Sequence, residues 1–219
     1  GWFPVLAKAP GQSGYHTIAG ALRDRGGVDV GEMRAATGPW CAELFGQEPD
    51  GPVADLMDLF ADSWSRLGEV IEGFGSCLDL VAAAGHSADR LVELLAWEHK
   101  MYRDVSPHDG ERVPLFKRAQ ITAVDLSLAF AGEGPGRFED LDRLTMFADN
   151  LVPHVLHLAG VLAYQDALLA RIEADALLEH DSVEEVEIRA VAVHAVEQVV
   201  AALHDQGLTD ATAGQVDMA

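Results

Sequence analysis

Apolar residues recur every three to four positions along most of this chain, and that period constrains its fold more than any other feature. Between Pro52 and Glu72 the series is Val53, Leu56, Met57, Leu59, Phe60, Trp64, Leu67 and Ile71. It lines one face of an α-helix and neither face of a strand. Gly73-Phe74-Gly75-Ser76 interrupts it, and two further helices are predicted over 76–84 and 87–101. A polar loop over 104–112 holds the turn residues Pro107, Asp109 and Gly110. The next helix is predicted over 114–131, with Pro114 where a first turn tolerates it, and the glycine-rich 132–136 ends it. A short acidic helix over 139–147 leads into Asp149-Asn150, then an apolar helix to 164 and another over 165–178. Ser182 and Glu185 have capping-box spacing and open a last helix to 204. Strand signal is limited to a marginal extension at Arg112-Val113, and no repeat, low-complexity tract or linker divides the chain. The reading is all-α, one helical domain over 1–219.

The 219 residues are 49% hydrophobic, ample for a sizeable core. No apolar run reaches the roughly 18 residues of a membrane span, and Gly1-Trp2-Phe3-Pro4 lacks the pattern of a signal peptide. Cys41 and Cys77 are too few for a disulfide framework and indicate a reducing, cytoplasmic setting. Fifteen basic residues stand against 36 acidic ones, a net charge of −21. A protein that grips duplex phosphates needs the opposite balance, so a nucleic-acid polymer is an unsuitable partner. A single nucleotide held by one or two local cations suits the chain.

Local chemistry leaves several residues with two readings. Asp149 stands at the junction of two predicted helices, where it could cap the second with help from Asn150 or project into a pocket. Lys117 falls within one turn of a helix N-terminus, a place that favours anions. It shares a face with Ile121, Val124 and Leu128, where a snorkelling side chain is the plainer reading. Arg118 points elsewhere and reads as structural, as do Glu187 and Arg189, which do not face each other on a helix. His108-Asp109, His180-Asp181 and His204-Asp205 raise the alternative of a metal-dependent phosphohydrolase. Their positions in a turn or at helix ends do not indicate convergence, and His154 and His157 come without a carboxylate partner, so no metal site is predicted.

Several blocks then resemble one family. Gly11-Gln12-Ser13-Gly14-Tyr15, Phe74-Gly75-Ser76 and Tyr102-Arg103-Asp104-Val105 come first. Arg112-Val113 with Phe116-Lys117-Arg118-Ala119-Gln120-Ile121 follows, then Leu144-Thr145-Met146-Phe147-Ala148-Asp149. Pro153, Val155-Leu156, Leu158, Gly160-Val161-Leu162, Tyr164 and finally Glu185-Val186-Glu187-Ile188-Arg189 complete the series. In that order along most of the chain, they resemble the queuosine salvage family. The resemblance implies a helical fold similar to helix-hairpin-helix DNA glycosylases, with a mononucleotide as substrate and no cofactor. It implies hydrolysis of queuosine 5′-phosphate to queuine and ribose 5-phosphate, for salvage of queuine into tRNA modification. Asp149 matches the catalytic carboxylate, Lys117 a 5′-phosphate contact, Phe147 a base contact, and Asp217 a carboxylate near the base's cationic aminomethyl arm. Tyr15 and His16 fall at pocket positions. The family's aromatic segment ahead of the Tyr15 block and its Leu-Trp-Asp-like tail beyond Asp217 have no counterpart, so the chain reads as truncated at both ends. A catalytically impaired helical binding module is the alternative for such a chain.

That reaction makes a specific demand. Positive charge builds on the ribose as the base leaves, and a carboxylate beside the anomeric carbon stabilises it, as nucleophile or as counter-charge. A 7-deazaguanine has carbon in place of N7, so protonation there cannot activate the leaving group. One well-held Asp must carry more of the barrier.

Overall fold

The structure is a computed structural model that describes residues 5–217; the Gly1–Pro4 start, read above for a leader, lies outside the described residues, as do 218 and 219. Backbone packing divides the chain into two compact units, Gly1–Leu80 and Val81–Ala219.

The first unit is helical. α1 (Gly14–Arg25) starts where Ser13 Oγ accepts the His16 N–H, and stops at Gly26, whose φ of 85° only glycine adopts without strain. α2 (Val30–Arg34) opens with a complete capping box between Asp29 and Glu32. α3 (Gly38–Leu44) is capped by Thr37. α4 (Ala54–Phe74) carries the long apolar series and buries Met57, Ala61, Val70 and Ile71. Leu6, Cys41, Ala42, Phe45, Val53, Met57 and Ala61 form its core, edged by Trp40, Phe60 and Trp64. At Gly68 a Cβ would lie 2.7 Å from Arg34 Cγ and 3.1 Å from the Arg34 amide nitrogen, so α2 and α4 pack at a distance that excludes a side chain there. α5 (Cys77–Ala82) spans the division between the units.

In the second unit α6 (Ala88–Glu98) is followed by more strand than the marginal Arg112-Val113 extension expected from the sequence. The expected polar loop is an antiparallel hairpin, β1 (Val105–His108) and β2 (Glu111–Pro114), with Val105 opposite Pro114 and His108 opposite Glu111. Asp109 and Gly110, both at positive φ, make its two-residue turn. Strands of four residues are too short to show alternation. α7 (Lys117–Ala129) starts later than predicted, because Pro114 ends β2 and Phe116 adopts a left-handed φ of 47°.

The predicted helix over 139–147 is corrected to a single 3-10 turn, Leu141–Arg143, followed by irregular chain. Two side chains divert its hydrogen bonding. Asp140 turns onto the start of α6, where it accepts from Ser87 Oγ and the Ala88 N–H, each at 2.6 Å. Gln120 Oε1 takes the Thr145 N–H at 2.8 Å. α8 (Leu151–Leu158) stops short of 164, with Gly160 at φ 73°, and α9 (Asp166–Glu173) is likewise shorter than expected. α10 (Val183–Asp205) is capped by Ser182 as predicted, and α11 (Ala213–Asp217) ends the described chain. Leu115, Met146, Ala148, Ala192, Val196, Val200 and Ala213 form the core, so the irregular 144–148 segment is threaded through it. Apart from the hairpin, the regular structure is helical, and among the described residues no helix is long and apolar enough to cross a membrane.

Candidate functional site

Four of the predicted site residues belong to the second unit, and the structure brings them together. Asp149 follows the threaded segment and precedes α8. Its Oδ1 accepts the N–H groups of Leu151 at 2.7 Å and Val152 at 3.2 Å, which caps the helix. Asn150 makes no capping bond. Oδ2 faces the other way and lies 3.5 Å from Lys117 Nζ, with the two side chains 26% and 32% exposed. Capping and chemistry were rival readings of this residue, yet the two oxygens separate them: one is spent on helix amides and the other is held against a cation.

Lys117 is the first residue of α7, and its own N–H donates to Asp104 Oδ2 at 3.1 Å. The first helix amide therefore already has a carboxylate, so the anion-attracting character expected there rests on the ammonium group. Asp217, the last residue of α11, accepts the Phe147 N–H through Oδ2 at 2.9 Å. Burial and the nearby charge of Asp149 raise its carboxyl above the ordinary range, against the Phe147 N–H and the Lys117 charge. Phe147 itself is 9% exposed, so most of its ring packs in the interior.

Tyr15 and His16 lie in the first unit. Tyr15 is 70% exposed and meets His16 edge-on, while His16 Nδ1 is 2.8 Å from Ser13 Oγ. His16, with Trp40 and Arg25, lines a surface groove of about 770 Å³.

The histidines expected not to form a metal site are occupied in various ways. His108 Nε2 pairs with Glu187 Oε1 at 3.1 Å, His157 Nδ1 meets the Leu162 carbonyl, and His204 Nε2 meets that of Ala211. One expectation changes: His180, Asp181 and Glu185 do converge, their ligand atoms within 4.8 Å of one another. The cluster is at the surface, with the His180 side chain 75% exposed, and the other Glu185 oxygen serves Arg189 at 3.0 Å. Arg118 holds the Met101 carbonyl, in keeping with a structural role.

Sequence reasoning missed Asp104 as part of this grouping. Its carboxylate accepts from both Lys117 N and Arg189 Nη2, the latter at 2.6 Å. Burial works against the Arg189 charge, but Asp104 and Glu185 outweigh it, so the guanidinium is held more firmly protonated than usual. A signal was present: Val186, Arg189, Ala192 and Val196 share the buried face of α10, and an Arg in an apolar stripe calls for an internal partner.

Comparison with known proteins places these residues in context. The family model for "Queuosine salvage protein" matches residues 8–218. A Sphaerobacter thermophilus protein named queuosine 5′-phosphate N-glycosylase/hydrolase is 38% identical over 200 residues, 89% of this chain and 61% of that protein. Proteins of the same name from Mus musculus and Schizosaccharomyces pombe are 37% and 36% identical over 59% and 58% of this chain, and 39% and 36% of their own lengths. The chain thus spans at most about three-fifths of these relatives. With the match running over nearly all of its residues, the chain belongs to the queuosine salvage protein family.

Proposed function

We propose that this chain hydrolyses the N-glycosidic bond of queuosine 5′-phosphate, releasing queuine and ribose 5-phosphate. The observation that carries the reading is the division of labour at Asp149. Two helix amides fix one oxygen while the other remains partly exposed beside Lys117. The relatives named for this activity supply the substrate class. A protein with a purely structural role has little use for an ion pair that is neither buried nor fully solvated, since such pairs add little stability.

In this mechanism the bond between the anomeric carbon and the base nitrogen breaks, and its electrons leave with the base. The positive charge left on the ribose faces Asp149 Oδ2. Water then adds its oxygen to the anomeric carbon, keeping one proton in the new hydroxyl group and giving up the other, which ends on the nitrogen of the departing base. Lys117, alongside, takes the 5′-phosphate, and the Phe147 segment meets the base. Asp217 lies where a cationic arm on the base would find a negative partner. Two free thiols, one buried and one exposed, suit a reducing compartment.

The test is to incubate the protein with queuosine 5′-phosphate and measure free queuine, for the native chain and for Asp149→Asn. Asn retains an oxygen for the Leu151 and Val152 amides, so the melting temperature should hold. Turnover should fall roughly a hundredfold or more, about 3 kcal/mol in the transition state, while substrate binding survives. A folded variant with near-native turnover would remove Asp149 from the mechanism.

A further inference from the structure

We propose that Arg189, acting with Asp104, is the positioning residue of this site: one guanidinium sets where Lys117 and Asp149 stand relative to each other. The inference rests on the functional reading above for its kinetic consequences, though its geometry stands apart from it. Arg189 is 9% exposed and spends its fork on three partners. Nε donates to the Ala148 carbonyl at 2.9 Å, Nη2 to Asp104 Oδ2 at 2.6 Å, and Nη1 to Glu185 Oε1 at 3.0 Å. Ala148 is the residue before Asp149. Asp104 Oδ2 also accepts the Lys117 N–H, and the Asp104 carbonyl accepts those of Leu115 and Phe116. An unbroken series of bonds therefore runs from the peptide that carries Asp149, through Arg189 and Asp104, to the peptide that carries Lys117.

Local backbone structure does not by itself set where the two ends stand relative to each other. Asp149 follows a segment without regular structure that no strand ladder holds, and Lys117 follows Phe116 in a left-handed conformation that an aromatic residue adopts only when its surroundings impose it. Stability is a poor explanation for the arrangement, because a buried Arg–carboxylate pair is often no more stabilising than apolar residues of the same size. Three acceptors in three directions require a planar fork, which Lys cannot imitate.

The experiment compares Arg189→Lys and Asp104→Asn with Val92→Ala, which trims the same unit's interior on α6, outside the cluster that holds Met146 and Ala148. Each is measured for melting temperature, kcat and KM on queuosine 5′-phosphate. Hydrogen exchange at the Leu151 and Val152 amides, which Asp149 Oδ1 protects, is followed without substrate. Arg189→Lys and Asp104→Asn should lower kcat about tenfold to a hundredfold with little change in KM. The double variant should be no worse than the more impaired single one, since both break one series of bonds. Exchange at the two amides should quicken. Val92→Ala should lower the melting temperature and leave kcat and the two amides alone. Unchanged exchange in Arg189→Lys, or equal kcat losses in all three variants, would overturn the proposal. If the native chain releases no queuine while exchange behaves as described, the substrate reading falls and the positioning role stands.

Discussion

A carboxylate bound on one side by peptide N–H groups cannot swing, and this immobility is what separates Asp149 from an ordinary surface acid. Its partner is open to a direct test. Lys117→Ala should erase most of the preference for queuosine 5′-phosphate over the nucleoside, because binding energy from the remote phosphate assists the reacting centre. Equal losses on both substrates would assign Lys117 to the Asp149 contact alone. At this scale the sequence was informative about residue types and silent about pairings. An Asp-Asn dipeptide ahead of an apolar helix announces a cap, and Lys117 on an apolar face announces an odd cation. Nothing in local spacing says that the two meet at 3.5 Å. Tertiary packing decides that.

Helices with a long apolar period, such as α4 and α10, were legible because burial of one face outweighs everything else along them. The 139–147 stretch was not, since its acidic residues suit a helix start yet one of them caps a different helix. Asp140 makes the consequence measurable. Burial raises its carboxyl, but the Ser87 hydroxyl and the Ala88 and Asp89 N–H groups outweigh that and hold it below the ordinary range. A carboxyl depressed in the folded state contributes stability above its unfolded value of about 3.9, and that contribution is lost as pH falls through the folded one. Asp140→Asn should therefore cost about 1–2 kcal/mol in denaturant unfolding at pH 7. The gap to the native chain should close as pH drops below about 4. A gap that persists undiminished in acid would mean that the loss is packing and not charge. Of the hairpin only the Arg112-Val113 extension was legible: Val-Ser-Pro-His has no alternation to read, and its pairing is visible only when Glu111–Pro114 lies beside it.

For the molecule as a whole, the charge of −21 has a structural counterpart. Arg25, Arg34, Arg66, Arg137, Arg143, Arg171 and Arg189 each pair with a carboxylate, so these seven of the fifteen basic residues already have an internal acidic partner. No binding to duplex oligonucleotides is expected at physiological salt, by fluorescence anisotropy. Micromolar affinity that weakens with added salt would contradict the mononucleotide reading. The bond between Arg189 and Asp104 joins residues 85 positions apart, and that between Asp217 and Phe147 joins residues 70 apart. Contacts that close such long loops form late, after local helices are in place. During synthesis α7 and α8 leave the ribosome well before α10 does, so Lys117 and Asp149 exist for a time without the guanidinium that aligns them. The geometry on which the proposed cleavage depends is thus complete only after α10 has emerged.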